Sequence, residues 1–325
     1  MEFFKKSRLI MLNTFILLLS SCTVEFYSST DLPNSTSDSI SESLDSKPSV
    51  EKPSISEDNS TNLNQPPSYI DQRYELKFED QFDGTSLNPN YWNIEYGTGA
   101  QYGLNGWGNN ELEYYQTDNV SVENGLLKIT AKREYQGGKN FTSGRIQTKE
   151  KIFFTYGYFE ACIMMPTDRA MWPAFWLLPN NENIYGGWAS SGEIDIMEAG
   201  GKNMDAHTVG NTLHFGGNWP NNKHEGKSNK IPGNGTINQF HMYGAEWTSE
   251  YIAFYIDGTR VYEITNDIYY SSKAPNNPSA PFDVDFYILL NLAVGGDYTG
   301  GVTPTSSFSS ADMYVDYVKV YQLKE

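Results

Sequence analysis

At 325 residues the chain has room for one large β domain with additional segments, and its formal net charge of −17 argues against a nucleic-acid partner, because acidic surfaces repel phosphate backbones. Aromatic residues make up 14% of the sequence, with 23 Tyr and 7 Trp, which suits either stacking on sugar rings or an aromatic-rich all-β core. The composition therefore favours a neutral ligand over a polyanion.

Residues 1–22 are predicted to be an export signal. A basic start is followed by an apolar run at residues 9–19, which is shorter than the roughly 20 residues of a membrane span. Residues 19–22 read Leu-Ser-Ser-Cys, which resembles the bacterial lipoprotein box, so Cys22 is expected to carry lipid and to become the mature N-terminus. The exported protein would then be anchored in a membrane, at the cell surface or outer membrane. The alternative is an ordinary signal peptide with an incidental cysteine.

Residues 23–72 are predicted to be a disordered linker. This segment consists mainly of Ser, Thr, Asp, Glu, Asn and Pro, and it has too few large apolar residues to offset its ordering entropy. The second cysteine, Cys162, lies far away in a strand-like segment. A disulfide between Cys22 and Cys162 would therefore be a poor structural constraint, which favours lipidation of Cys22.

Residues 73–325 are predicted to form one all-β domain. Apolar and polar residues alternate in short runs, such as residues 126–130, 156–161, 251–256 and 314–321, separated by Gly, Asn, Asp and Pro. The dipeptide Asp257-Gly258 is typical of a hairpin turn. No helical period of any length stands out. These patterns predict a sandwich of two antiparallel sheets.

Three acids are concentrated at residues 191–200, which read SGEIDIMEAG. In a regular strand Glu193 and Asp195 would share one face with Met197, while Glu198 would lie on the other. A β-bulge near Met197 would bring Glu198 to the face of the other two acids. Such crowding raises carboxylate pKa values and opposes folding, but a retaining glycosidase needs a nucleophilic carboxylate and a protonated one about 5 Å apart. A calcium site and a solvated acidic edge are the alternatives.

The segment Glu-Ile-Asp-Ile-Met-Glu resembles the active-site motif of glycoside hydrolase family 16, in the bulged form of its laminarinase-like branch. Further segments are similar to bacterial laminarinases in the same order along the chain, namely residues 106–115, 144–149, 156–161, 172–179, 213–217 and 290–296. The resemblance implies a β-jelly-roll sandwich with a concave substrate cleft. It also implies that Glu193 is the nucleophile, Glu198 the acid/base and Asp195 their helper.

The resemblance also implies a set of substrate-binding residues along the cleft. They comprise two residues for the negative subsites, an arginine that binds sugar hydroxyls, three aromatic cleft walls and a cleft histidine: Trp107, Asn110, Arg145, Trp172, Trp176, Trp188 and His214. One of Trp172 and Trp176 is alternatively a core residue, and a lone strand histidine is more often structural.

Two positions depart from the family pattern. The family often binds a structural calcium ion away from the cleft; Gly84 and Asp316 fit that site, but Gln81 stands where a glutamate is expected. A structural calcium ion is therefore expected to bind at this site more weakly than is usual in the family. The second departure is Glu113, where laminarinases often carry glutamine.

The function expected from these features is retaining endo-hydrolysis of β-1,3-glucan, with mixed β-1,3-1,4-glucan as a possible further substrate. No cofactor is expected for catalysis, and the expected state is a monomer. The alternatives are a hydrolase for galactans of the agarose or carrageenan type, a cell-wall glucan transglycosylase, and a non-catalytic surface lectin. Loss of a catalytic carboxylate would indicate the lectin, and all three are present.

Overall fold

The computed structural model describes residues 50–52 and 66–324. The strands among these residues are β1 (Tyr74–Asp80), β2 (Asn93–Ile94), β3 (Glu113–Tyr115), β4 (Val120–Glu123), β5 (Leu126–Lys132), β6 (Phe141–Ser143), β7 (Arg145–Gln147), β8 (Phe153–Phe154), β9 (Gly157–Met164), β10 (Met171–Pro179), β11 (Glu193–Glu198), β12 (Thr208–Gly216), β13 (Asn222–Lys230), β14 (His241–Trp247), β15 (Tyr251–Ile256), β16 (Thr259–Thr265), β17 (Phe286–Val294) and β18 (Ser310–Leu323). Short 3-10 helices lie at Ala100–Tyr102, Asn105–Gly108, Thr117–Asn119, Glu182–Ile184 and Pro232–Asn234.

The strands form two sheets. A ten-stranded sheet has the order β16-β15-β14-β9-β18-β5-β6-β3, with β1 also paired to β18 and β4 to β5. An eight-stranded sheet has the order β13-β12-β11-β10-β17-β7-β2, with β8 also paired to β17. The described pairs are antiparallel except for β3 with β6, which run parallel. The predicted two-sheet, mostly antiparallel sandwich is confirmed.

Strand β9 shows how the alternation builds the core. Phe159, Ala161 and Ile163 are fully buried in the large apolar cluster between the sheets. The intervening Tyr158 and Cys162 belong to two smaller clusters on the opposite face. Burial of a large apolar side chain contributes about 1.5–3 kcal/mol, so this inner layer supplies most of the stability. Each sheet therefore has an inner face toward the core and an outer face away from it.

The predicted turn at residues 257–258 joins β15 to β16. Ile256 pairs with Thr259, and Asp257 and Gly258 have φ values of 48° and 72°. Positive φ at both central positions is the geometry that fits the twist of a two-residue hairpin. A Cβ at Gly258 would lie 2.6 Å from the ring of Tyr69, so glycine also leaves room for that side chain.

The linker boundary predicted at residue 72 is wrong, because part of that segment packs on the domain. Tyr69 donates a hydrogen bond to Glu160, and Ile70 is buried in an apolar cluster with Tyr74 on the outer face of the ten-stranded sheet. Further upstream, Val50 packs against a neighbouring cluster that contains Leu126. The folded unit therefore includes residues 50–52 and 66–72.

The predicted signal segment 1–22, including Cys22, and most of the predicted linker lie outside the described residues. Within the part of the chain that the structure describes, no helix is long and apolar enough to cross a membrane.

Candidate active site

The bulge predicted in β11 is present. On one side Asp195 pairs with Thr212 and Glu198 with Gly210 of β12, so β11 has one more residue than its partner over this stretch. The register with β10 shifts at the same place. Ile196 and Met197 are both fully buried in the core, so the extra residue is apolar and Glu198 returns to the outer face. The bulge therefore places Glu193, Asp195 and Glu198 on one face, as the sequence predicts.

The register of the eight-stranded sheet brings further predicted residues beside these acids. Glu198 pairs with Ala174 of β10, Ala174 with Asn291 of β17, and Asn291 with Arg145 of β7. Paired residues in adjacent strands share a face. Arg145 thus lies in the same cross-strand row as Glu198, although it is distant in sequence.

Glu193 is held by neighbours on two sides. The indole N–H of Trp188 donates to its Oε2 at 2.9 Å, and His214 Nε2 lies 3.7 Å from its Oε1. Burial and the nearby charge of Asp195 raise the pKa of Glu193 from 4.5 to about 7, while His214, Trp188 and Arg145 act in the opposite direction. These partners favour the ionised carboxylate against the cost of burial.

Asp195 lies between the two glutamates in sequence and contacts His214, whose Nε2 is 3.2 Å from Asp195 Oδ2. Burial lowers the pKa of His214, but the close contact with Asp195 and the charges of Glu193, Asp195 and Glu198 raise it overall to about 9. The imidazole is therefore protonated at neutral pH and supplies a positive charge to the acidic cluster.

Glu198 is nearly buried and accepts a hydrogen bond from the indole N–H of Trp172 at 2.9 Å. Burial and the charge of Asp195 raise the pKa of Glu198 well above its usual value, more than Trp172 and His214 lower it. Trp172 is itself fixed by a parallel stack with Tyr298, with ring centroids 4.9 Å apart. Glu198 is therefore suited to remain protonated at neutral pH.

Arg145 lies between two aromatic rings. Its guanidinium carbon is 4.5 Å from the ring centroid of Trp107 and 4.8 Å from that of Trp176. Its buried Nε has no hydrogen-bond partner among the described residues. Trp176 is fixed in turn, because its Nε1 donates to Asn291 at 2.8 Å. The stacked guanidinium thus keeps donors for a ligand.

The predicted aromatic walls take different roles. Trp172, Trp176 and Trp188 are half-buried, so neither of the first two is a core residue. Trp107 is only 7% exposed and donates to the carbonyl of Gly97, so its fixed ring holds the stacked guanidinium of Arg145 in place. Asn110 is exposed and donates to both carboxylate oxygens of Asp297 at 3.0 Å.

Sequence reasoning missed several residues at this face. Trp219 is 71% exposed, and its ring centroid is 6.3 Å from that of Trp188. A neighbouring cavity of about 460 Å³ is lined by Gly217, Asn218, Trp219, Asn221, Tyr270, Ser272 and Lys273. The available signal was a tryptophan in a loop of Gly, Asn and Pro, where a core residue is not expected. Asn291, Asp297 and Tyr298 had no such signal, because their roles depend on contacts across the sheet and with other loops.

A metal at the acidic cluster is the alternative that the sequence leaves open. Glu193, Asp195 and His214 each offer one ligand atom within 4.8 Å of the others. A metal-bound histidine must be neutral, and Glu193 Oε2 already accepts the indole N–H of Trp188 at 2.9 Å. The separate indole donors to Glu193 and Glu198 also fix the two carboxyl groups individually. The arrangement therefore fits acid/base chemistry better than metal binding.

The residues expected at a structural calcium site lie elsewhere. Asp316 is buried in β18, and Gly84 directly follows Asp83 in the loop after β1. The ammonium group of Lys52 lies 3.2 Å from carboxylate oxygens of both Asp316 and Asp83. A cationic side chain is thus already present where calcium was expected.

Glu113 is fully buried beside Glu111. Its Oε2 accepts a hydrogen bond from the amide of Val294 at 2.7 Å. Burial, followed by the charge of Glu111, raises the pKa of Glu113 well above its usual value. A protonated glutamic acid has one hydrogen-bond donor and one acceptor oxygen. A glutamine side chain likewise has a donor, its NH2 group, and an acceptor, its carbonyl oxygen. The raised pKa favours the neutral form of Glu113, at the position where laminarinases often carry glutamine.

A family model described as "Beta-porphyranase A-D, GH16 domain" matches residues 74–323, from the first residue of β1 to the last of β18. The chain belongs to glycoside hydrolase family 16. The match includes both sheets, and the jelly-roll sandwich expected from the sequence resemblance is confirmed.

The relatives of this family 16 chain include enzymes named for glucans. The glucan endo-1,3-beta-glucosidase A1 of Niallia circulans is 40% identical over 291 residues, which cover 85% of this chain and 42% of that protein. The beta-glucanase of Rhodothermus marinus is 37% identical over 261 residues, which cover 78% of this chain and 86% of that protein. The catalytic domain of an endo-1,3-beta-glucanase (laminarinase) from Thermotoga petrophila superposes with a TM-score of 0.68 at 34% identity, covering 78% of this chain and 99% of that domain. The chain thus spans less than half of the Niallia protein.

Proposed function

We propose that this family 16 hydrolase is a retaining endo-β-1,3-glucanase. The observation that carries the proposal is the bulged strand β11, which presents Glu193, Asp195 and Glu198 on one face with separate hydrogen-bond partners. Retaining hydrolysis needs two carboxyl groups in different protonation states on either side of one glycosidic bond. The partners of Glu193 and Glu198 support such a division.

In the first step, Glu193 attacks the anomeric carbon and forms a glycosyl ester, while Glu198 gives its proton to the leaving sugar oxygen. In the second step, Glu198 takes a proton from water, whose oxygen attacks the same carbon and releases Glu193 as a carboxylate. Asp195 holds the imidazolium of His214, which stabilises the negative charge of Glu193 before attack and after release. The configuration at the anomeric carbon is retained because it is inverted twice.

A neutral, elongated glycan fits the groups around the acids. Half-buried rings of Trp172, Trp176 and Trp188 offer apolar faces for sugars, and Trp219 extends the aromatic surface. Arg145 supplies hydrogen-bond donors that are already fixed in place by stacking. The names of the Niallia and Thermotoga relatives support β-1,3-glucan as the substrate.

A galactan is the second candidate substrate, because the matching family model is described by a porphyranase. The reaction would be the same, with a different fit of the sugar hydroxyls. The net charge of −17 favours a neutral chain over a sulfated one.

The first experiment measures reducing-end release by residues 23–325 on laminarin, mixed-linkage β-glucan, agarose, κ-carrageenan and porphyran. Cleavage of laminarin with products of intermediate length is the expected result, and the mixed-linkage result sets the breadth. Cleavage of a galactan alone would retain the mechanism and overturn the proposed substrate. Products longer than the input at high substrate concentration would instead indicate transglycosylation.

We also propose that the protein is exported and anchored in a membrane through lipid on Cys22, and that it acts as a monomer. The support is the order of basic, apolar and Leu-Ser-Ser-Cys segments at residues 1–22. A Cys22→Ser variant should lose incorporation of labelled fatty acid and leave the membrane fraction. Unchanged labelling and fractionation would contradict the anchor.

A further inference from the structure

Lys52 contacts the domain through a cluster of oxygen atoms. Its Nζ donates to the carbonyl oxygen of Gln81 and to Asp83 Oδ1, both at 3.2 Å, and forms an ion pair with Asp316 Oδ1 at 3.2 Å. Three oxygen atoms from two separate parts of the domain thus surround one ammonium group. We refer to Gln81, Asp83 and Asp316 as the cation cradle.

Asp316 is the member of the cation cradle that most needs a positive partner. It is only 1% exposed and is the extra residue where β18 shifts register against β9, between Val315 and Tyr317. Burial raises the pKa of Asp316, and the charge of Lys52 is the first of the influences that lower it. A buried carboxylate without a cation costs several kcal/mol. Lys319 is close as well, but its ammonium pairs with Glu79 at 3.0 Å.

The path of the Lys52 side chain is also fitted to the domain. A Cβ added to Gly125 would lie 3.1 Å from Lys52 Cδ, so the aliphatic stem passes closely over that glycine. Two residues earlier, Val50 packs against the cluster of Leu126, Cys162 and Phe240. Segment 50–52 is therefore held by an apolar contact at one end and an ionic contact at the other.

The donor set of the cation cradle is typical of a site for a hard divalent cation, which binds carboxylate and carbonyl oxygens. Calcium–oxygen distances are about 2.3–2.6 Å, whereas the three oxygens lie 3.2 Å from Lys52 Nζ, as two hydrogen bonds and one ion pair. An ammonium group and a calcium ion cannot share the same three oxygens. Occupation by Lys52 and by a divalent cation must therefore exclude each other.

We propose that Lys52 is a built-in cation that replaces calcium in the cation cradle and fastens segment 50–52 to the catalytic domain. The chain carries its own counter-ion for Asp316, so folding does not depend on free calcium. Removal of the ammonium group uncovers a site that calcium can fill. Residues 23–325 are the appropriate protein for the test, because they include both the segment and the domain.

The test compares the wild type with Lys52→Gln, which removes the charge and shortens the side chain so that it no longer fills the cation cradle. The melting temperature is measured in EDTA and in millimolar calcium chloride, and calcium binding is measured by titration calorimetry. For the wild type we expect the same melting temperature in both solutions and weak calcium binding. For Lys52→Gln we expect a loss of about 3 °C or more in EDTA, recovery in calcium, and calcium binding at least about tenfold tighter than in the wild type.

Two further variants locate the effect. Lys77→Gln removes an exposed lysine that pairs with Glu75, and it should behave like the wild type in both solutions. The double variant Lys52→Gln/Asp83→Asn should lose the calcium response, because Asp83 is an exposed member of the cation cradle whose loss is compatible with folding. The proposal is overturned if the wild type binds calcium as tightly as Lys52→Gln. It is also overturned if Lys52→Gln ignores both EDTA and calcium, or if its response persists in the double variant.

Discussion

On the outer face of the ten-stranded sheet, Glu160 accepts hydrogen bonds from the hydroxyl groups of Tyr69, Tyr158 and Tyr317. On the outer face of the eight-stranded sheet, Glu193 and Glu198 each accept one indole N–H, and both lie near Asp195 and His214. Both faces bury carboxyl groups, but one surrounds the charge with donors and the other crowds it. A buried carboxylate with several hydrogen-bond donors stabilises the fold. Buried carboxyl groups close to other acids have raised pKa values, which suits them to proton transfer in catalysis.

The strongest contrast should come from Glu193→Gln. Loss of the nucleophile is expected to lower kcat by at least about 1,000-fold, because no other carboxylate occupies its place. The melting temperature should stay equal or rise, since a crowded negative charge is removed. Activity on laminarin and a thermal melt of the same preparation check both parts, and glycan binding should persist. Retained turnover would overturn the assignment of Glu193.

The opposite pattern is expected for Glu160→Ala. Three tyrosine hydroxyls would lose their acceptor, at a cost of about 3 kcal/mol or more in the free energy of unfolding. Chemical denaturation measures this loss, while kcat of the folded enzyme should remain unchanged. Glu160→Gln keeps one acceptor oxygen and should lose less stability. Equal stability of Glu160→Ala and the wild type would show that the tyrosine contacts carry little energy.

The crowding can be adjusted through His214. Since its pKa is raised to about 9, His214 is positively charged at neutral pH and lowers the pKa of Glu193. In His214→Asn the pKa of Glu193 should rise, so the acidic limb of the kcat/KM profile should move to higher pH by about one unit. His224→Asn, an exposed ring 5.8 Å from His214, should leave the limb in place. If the acidic limb did not move in His214→Asn, the charge of His214 would not influence the pKa of Glu193.

The smallest effect is expected at Glu113. Because its pKa is raised in the folded chain, its proton favours folding fully below about pH 4, and that contribution is lost as pH rises through the folded-state pKa. Glu113→Gln is neutral at all pH values. Its melting temperature should match the wild type near pH 4 and exceed it by a few degrees near pH 8. Glu123→Gln, an exposed pair of Lys128, serves as the control, and a gain independent of pH would contradict the protonated state of Glu113.

Local patterns predicted the strands, the hairpin at Asp257-Gly258 and the bulge in β11, because each depends on neighbours within a few residues. The placement of Lys52 against Asp316 depends on contacts between opposite ends of the chain. A lysine in a polar segment has no pattern that distinguishes it from other linker residues, and the same holds for Tyr69. The predicted boundary at residue 72 lies too late in the chain for this reason, since composition reports local ordering cost and not docking on a distant surface.

The loop after β17 connects two parts of the site through adjacent residues. Asp297 accepts both hydrogen bonds from Asn110, and Tyr298 stacks on Trp172, which donates to Glu198. A glycan that contacts Asn110 would therefore act on the loop of Asp297 and Tyr298, which also orients Glu198 through Trp172. Binding energy gained at a remote sugar can then be expressed as faster turnover, so polymer length would influence kcat as well as KM.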